Sequence, residues 1–198
     1  MNYYIDMDGV LVKYERAAYT GSDPQYKRPG FHYFRNLKPD PRMLLVINKL
    51  LEKCRNEVLE GDEYENNIFV LTSVTNTGSL ALEQIKDKIE WLNEVIPDFD
   101  TKNNFIASIT DKRNLAEAIK FNKSHISVNG KILSVDDILI DDYNANLINW
   151  QEAGGTAIKY NNGINDPTSF SGLNLDVNMS PDDIVELLTE HLNYLRKE

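Results

Sequence analysis

The feature that most constrains this chain is a short apolar segment that runs directly into two aspartates and a glycine, YYIDMDGVL at residues 3–11. A short apolar run closed by a glycine is typical of a buried strand in a parallel sheet, and such sheets bind ligands beyond the carboxyl ends of their strands. Because alternate residues of an ideal strand share a face, Asp6 and Asp8 are expected to point to the same side. Two converging carboxylates repel each other unless a cation lies between them, and a divalent cation with oxygen ligands is the simplest candidate.

Two aspartates spaced two apart most often only cap a loop or a helix, because short motifs occur by chance. Two later segments make the pair in this chain more informative. One apolar run ends in Thr72 and Ser73, and another ends in Asp141 and Asp142. Two strands that both end in acids predict one shared acidic pocket, and the hydroxyl groups of the third run are suited to phosphate oxygens.

Predicted strands and helices alternate along the rest of the chain. Short apolar runs predict strands at 68–71, 105–109, 138–140 and 156–160, helical spacing predicts helices at 41–59, 79–95, 144–153 and 181–196, and 161–178 is expected to be a loop after the final core strand. Asn-Gly between alternating apolar residues predicts a β-hairpin insert near 124–134. This order predicts an α/β fold with a Rossmann-like, doubly wound, mostly parallel sheet.

Size and composition limit the classes of partner. The 198 residues are enough for one domain with a full core, and the net charge of −10 argues against binding to a nucleic-acid polymer. No segment approaches the ~20 apolar residues that cross a bilayer, and the start does not resemble a signal peptide. Together with the single Cys54, these observations predict a cytoplasmic protein with no membrane partner, and an oligomer is compatible with them.

The ordered motifs resemble those of the haloacid dehalogenase (HAD) superfamily of phosphatases, and in particular its 5'(3')-deoxyribonucleotidase-like branch. The matching segments are Asp6–Leu11 (DMDGVL), Leu71–Ser73 (LTS), Lys88–Leu92 (KIEWL) and Leu139–Asp142 (LIDD). The resemblance implies a single HAD-like domain over 1–198, with a core at 1–11 and 41–198 and a reduced cap insert at 12–40. The mixture of aromatic and basic residues in 12–40 suits a nucleobase or an aryl group beside a phosphate, and a loop packed by its own aromatic side chains is an equally good interpretation.

The resemblance also implies a mechanism, a Mg²⁺-dependent phosphomonoester hydrolysis. Asp6 would attack phosphorus and form an aspartyl-phosphate, and Asp8 would act first as general acid and then as general base. Mg²⁺ would be held by the Asp6 side chain, the Asp8 backbone carbonyl and Asp141, with Asp142 as outer-shell support. The residues implied to bind phosphate are Thr72, Ser73, Lys88 and Lys112. Both lysines have the ordinary alternative of being solvated side chains on helices.

The substrate implied by the resemblance is a nucleoside or deoxynucleoside monophosphate. Another small phosphomonoester, such as a sugar phosphate, and a non-catalytic HAD-like binding scaffold remain alternatives. A phospho-receiver domain also combines acids, a hydroxyl residue and a lysine around Mg²⁺. Its acidic pair comes first and its lysine follows the hydroxyl residue on a late strand, whereas here D-x-D opens the chain and D-D comes last.

Overall fold

The computed structural model describes residues 1–13, 23–60, 66–109, 112–113, 133–165, 169–176 and 178–191. The hairpin predicted near 124–134 lies outside these ranges except for its last two residues, and so does the end of the last predicted helix. No helix in the described ranges has both the length and the apolar character needed to span a bilayer.

Six parallel strands form the central sheet in the described part of the chain. They are β1 (Asn2–Ile5), β2 (Asn67–Ser73), β3 (Phe105–Ser108), β4 (Asp137–Asp141), β5 (Thr156–Tyr160) and β6 (Leu173–Leu175). Their order in the sheet is β3-β2-β1-β4-β5-β6, and each neighbouring pair is parallel. This is the strand order of doubly wound sheets, so the predicted α/β class and parallel sheet are confirmed.

Helices that precede or follow the strands in the chain cover both faces of the sheet. They are α1 (Pro41–Glu60), α2 (Gly78–Val95), α3 (Thr101–Asn104), α4 (Asn144–Glu152) and α5 (Pro181–Glu186), which continues as a π-helical turn over Leu187–His191. The helices predicted at 41–59, 79–95 and 144–153 are therefore confirmed within one residue at each end. At α5, Ser180 and Asp183 form a reciprocal capping box. The role of Asp183 is therefore to cap the start of this helix.

Alternation along the strands divides the core into two layers. In β1, Tyr3 and Ile5 belong to the apolar cluster that packs against α1, α2 and α5, whereas Tyr4 belongs to the cluster on the α4 side. The same alternation continues in β2 and β4, whose residues are buried on both faces. A strand that is buried on both faces reads as a continuous apolar run, which is why these strands were readable in the sequence.

Two features differ from the sequence interpretation or refine it. The segment 161–178 was expected to be only a loop, but Leu173–Leu175 forms β6 at the sheet edge and pairs with β5. This expectation was wrong because three residues are too few to establish a period of two. In the predicted cap insert, short 3₁₀ turns form at Gln25–Lys27 and Tyr33–Asn36, and Phe34 is buried in the main core.

Candidate active site

The predicted strand ends meet in one place. Strand β1 lies between β2 and β4, at the point where the winding of the chain reverses and where ligands of doubly wound sheets bind. The Asp6 amide continues the β1–β4 ladder by donating to the Ile140 carbonyl oxygen at 2.9 Å. Asp6 therefore follows β1 at the level where β4 ends in Asp141.

A buried lysine joins the early and late aspartates. Lys112 Nζ lies 2.8 Å from Asp6 Oδ1 and donates to Asp141 Oδ2 at 2.6 Å. Carboxylate oxygens of Asp6, Asp141 and Asp142 all lie within 4.8 Å of one another, and all three residues are buried. The single acidic pocket predicted from the sequence is thus present, with Lys112 inside it.

A second buried lysine serves Asp8. Lys88 Nζ donates to Asp8 Oδ2 and to Thr72 Oγ1, both at 2.6 Å, and to the Ser73 carbonyl oxygen at 3.1 Å. Both lysines were weighed as solvated surface residues, but Lys88 is 0% and Lys112 is 1% exposed. Ser73 contacts Lys88 through its backbone carbonyl oxygen, and phosphate binding by its hydroxyl stays a prediction.

Asp6 and Asp8 contact different cations although they are two residues apart. The expectation of one shared face assumed an ideal strand, but β1 ends at Ile5, before either acid. The chain then turns, and the amides of residues 10–12 all donate to the Met7 carbonyl oxygen. The Met7 amide also donates to Asp6 Oδ1 at 2.7 Å, which fixes this carboxylate from its own backbone.

Burial and crowding of like charges govern the protonation of the acidic pocket. The pKa of Asp6 is raised well above its usual range, mainly by burial. The negative charges of Asp141 and Asp8 raise this pKa further, and together these effects outweigh the lowering by Lys112. Burial, reinforced by Asp141, raises the pKa of Asp142 to about 7. Burial alone would lower the pKa of Lys112, but the Asp141 and Asp6 carboxylates raise it overall, so Lys112 stays protonated.

Two asparagines that were not predicted from the sequence donate hydrogen bonds to Asp142. Asn162 Nδ2 donates to Asp142 Oδ2 at 2.7 Å and to the Gly9 carbonyl oxygen at 3.0 Å, and Asn165 Nδ2 donates to the same carboxylate oxygen at 2.7 Å. The loop after β5 therefore connects the two acid-bearing loops. The available signal was the polar Asn-Asn-Gly-Ile-Asn segment directly after a strand of the parallel sheet.

A third buried lysine, Lys159 of β5, stabilises the turn after β4. Lys159 pairs in register with Asp141 of β4, and its Nζ donates to the Asp142 carbonyl oxygen at 2.9 Å and to Asn144 Oδ1 at 2.6 Å. Its signal in the sequence was a lysine inside the apolar run TAIKY, since a charged residue in a strand buried on both faces needs a polar partner.

The residues of the acidic pocket fit a divalent cation. Among the described residues, three buried carboxylates lie near one ammonium group, that of Lys112, and the additional donors on Asp142 are neutral amides. Uncompensated negative charge in a buried pocket is costly unless a further cation or protons neutralise it. Oxygen donors without sulfur or imidazole favour Mg²⁺ over softer metals.

A cleft opens beside Asp8. Its volume is about 370 Å³ and its lining consists of Asp8, Tyr26, Lys27, Phe34, Ser73, Val74, Thr75, Asn76 and Gln84. Asp8 Oδ1 is buried and accepts no hydrogen bond within the described part of the chain. The Phe34 ring lies 4.2 Å from Lys88 Nζ, so an aromatic side chain of the predicted cap shields the lysine that holds Asp8.

No protein-family model matches the chain, and no curated protein matches it significantly.

Proposed function

We propose that this protein is a Mg²⁺-dependent phosphomonoester hydrolase of the HAD type that dephosphorylates nucleoside monophosphates through an aspartyl-phosphate. One observation carries the proposal: two acids that lie two residues apart in the chain are held by two separate buried lysines, Asp6 by Lys112 and Asp8 by Lys88, and Asp8 lines a cleft. A nucleophile and a proton donor need different environments, and separate cations provide them.

With Mg²⁺ in the acidic pocket, Asp6 would be suited as the nucleophile, because the cation would oppose the rise in the pKa of Asp6 that burial causes. In the described part of the chain, the Met7 amide and Lys112 both contact Oδ1, which leaves Oδ2 for attack on phosphorus. The attack forms an Oδ2–P bond and breaks the bond from phosphorus to the ester oxygen. Mg²⁺, held by Asp6, Asp141 and the Asp8 backbone carbonyl with Asp142 beside them, would neutralise negative charge on the phosphoryl oxygens.

Asp8 is suited to move the proton. Lys88 holds Oδ2, Oδ1 accepts no hydrogen bond from the described residues, and Asp8 is part of the cleft lining. In its protonated form, Asp8 gives its proton to the leaving alkoxide as the ester bond breaks. As a carboxylate, it then takes a proton from the water that hydrolyses the aspartyl-phosphate. Lys88 and the Thr72 hydroxyl, 2.6 Å apart, supply donors for the phosphoryl oxygens.

The cleft supports a nucleoside as the leaving group. Its volume of about 370 Å³ lies within the range of small-molecule sites. The aromatic rings of Tyr26 and Phe34 suit a flat base, and the amide of Asn76 lies in the same lining. A sugar phosphate would use the polar groups but would gain little from the two rings.

Substrate panels and one matched pair of variants test the proposal. The purified protein is assayed with Mg²⁺ on nucleoside monophosphates and sugar phosphates, and we expect turnover of the former to exceed that of the latter. Asp6→Asn should abolish turnover, because an amide is a poor nucleophile. Asp98→Asn, whose side chain is 69% exposed, is the control and should retain it. Wild-type turnover in D6N, or no hydrolysis of any phosphomonoester by the wild type, would refute the proposal.

A further inference from the structure

Gln84 connects the two walls of the cleft. This residue of α2 is 2% exposed and belongs to the cleft lining. Its Oε1 accepts a hydrogen bond from the Thr75 amide at 2.8 Å, and its Nε2 donates to the Tyr26 carbonyl oxygen at 2.8 Å. Thr75 belongs to the loop that follows β2, and Tyr26 belongs to the predicted cap. One amide side chain thus contacts the backbone of both walls.

The position of Gln84 on its helix connects the cleft to the chemistry. Residues four apart lie on the same face of a helix, so α2 presents Gln84 and Lys88 to the same side. Lys88 reaches Asp8 and Thr72, at the end where the phosphoryl group would bind. Gln84 contacts the walls one turn away, where the rest of the substrate would lie.

Other residues of α2 hold later parts of the cap segment. Glu83 accepts from the Gly30 amide, with distances of 2.8 and 2.9 Å to its two oxygens, and Asp87 lies 2.8 Å from His32 Nδ1. These contacts hold residues 30–32 on α2, and Trp91 donates to the Leu37 carbonyl oxygen at 2.7 Å. The Tyr26 turn lies earlier in the segment, and Gln84 connects it to the opposite wall at the cleft itself.

We infer that Gln84 is a specificity-determining residue that sets the separation of the cleft walls and therefore the size of leaving group that binds productively. The inference rests on the proposed phosphatase function. Gln84 touches neither the phosphoryl group nor the reacting acids in this assignment, so it is a positioning residue. Loss of its two hydrogen bonds removes the link between the Tyr26 carbonyl oxygen and the Thr75 amide across the cleft, which weakens contact with a base while Asp6, Asp8 and Lys88 keep their partners.

The test compares a large and a small substrate. Gln84→Met keeps the side-chain length and removes both hydrogen bonds, whereas Gln84→Glu keeps the acceptor for Thr75 and removes the donor for Tyr26. For both variants we expect KM for a nucleoside 5'-monophosphate to rise about tenfold, because weaker contact between the base and the cleft walls lowers the affinity for this substrate. We expect kcat on phenyl phosphate and inhibition by inorganic phosphate to stay within threefold. Lys86→Met, an exposed change on the same helix, is the control.

A general loosening of the fold would give a different result. It would lower kcat for both substrates and weaken phosphate inhibition, and that outcome would overturn the inference, as would unchanged kinetics in both variants. Should Gln84→Met unfold, Gln84→Glu still tests the bond to Tyr26. If the wild type hydrolyses no phosphomonoester, the proposed function fails. Calorimetric measurement of nucleoside monophosphate binding still tests whether Gln84 sets the separation of the cleft walls. Equal affinity in the wild type and in Q84M would then refute it.

Discussion

Replacement of Lys112 by methionine tests the charge balance of the acidic pocket. Lys112 is 1% exposed and lies 2.8 and 2.6 Å from oxygens of Asp6 and Asp141. Without its ammonium group, the carboxylates of Asp6, Asp141 and Asp142 would share a buried space with no cation among the contacts described for them. Removing one partner of a buried ion pair costs about 3–5 kcal/mol, because the other partner stays buried and uncompensated.

The expected shift in melting temperature follows from this magnitude. For a chain of this size, 1 kcal/mol corresponds to about 2–4 °C, so Lys112→Met should melt roughly 6–20 °C below the wild type in a chelating buffer. Added Mg²⁺ should recover part of the loss, because a cation that binds only the folded state stabilises it by about 2.7 kcal/mol at a hundredfold excess over its Kd. We expect this recovery to exceed the stabilisation of the wild type, since the variant's acids lack their own cation.

Two further variants make the experiment decisive. Lys86→Met removes a lysine of α2 whose side chain is 68% exposed and 3.8 Å from Glu90, and it should change stability by less than about 0.5 kcal/mol. In the double variant Lys112→Met, Asp141→Asn, the second change removes one uncompensated charge, so the combined loss should be smaller than the sum of the single losses. Thermal unfolding of Lys112→Met at the temperature of Lys86→Met, with and without Mg²⁺, would refute the reasoning.

Two other predictions concern the acid loop and the cysteine. Gly9→Ala should destabilise the protein by about 2 kcal/mol or more in urea unfolding and weaken Mg²⁺ binding, because the Gly9 φ is +85° and a Cβ there would clash with Asp142 Oδ2. Gly30→Ala is its control, since φ is +73° with nothing within 4 Å, and equal losses would exclude a steric effect at Asp142. Burial, with Glu57 nearby, raises the pKa of Cys54 from 9.0 to about 11, so alkylation at pH 8 should be at least about tenfold slower in the native than in the unfolded protein and should accelerate up to pH 11. Equal alkylation rates in the native and unfolded states would contradict the burial of this thiol.

The sequence could predict the parts of the fold that have a repeating pattern. The buried strands read as apolar runs, and α1 and α2 have a clear helical spacing. The edge strand β6 could not be predicted, because three residues are too few for a pattern and its pairing depends on β5 being present. Local propensity is a weak guide where tertiary contacts decide the structure.

The same distinction applies to the candidate site. Acids placed at strand ends could be predicted to meet, because the ends of parallel strands share one edge of the sheet. The partners of each acid could not be predicted, because they depend on side-chain reach across elements that are far apart in sequence. Asn162 contacts Gly9, 153 positions earlier in the chain, and Gln84 contacts Tyr26, 58 positions earlier. No local pattern records contacts of this kind.

The separation of the two lysines assigns them different roles in the proposed reaction. Lys112 contacts two carboxylates of the acidic pocket, so its charge is used to keep Asp6 and Asp141 close to each other in the folded protein. Lys88 contacts one carboxylate, the Thr72 hydroxyl and a carbonyl oxygen, and it lies against the Phe34 ring of the cleft lining. Its neutral partners can be exchanged for phosphoryl oxygens without leaving two acids unpaired. In the proposed reaction, we therefore expect Lys88 to be the better phosphate ligand, and Lys112 to make the acidic pocket compatible with a folded core.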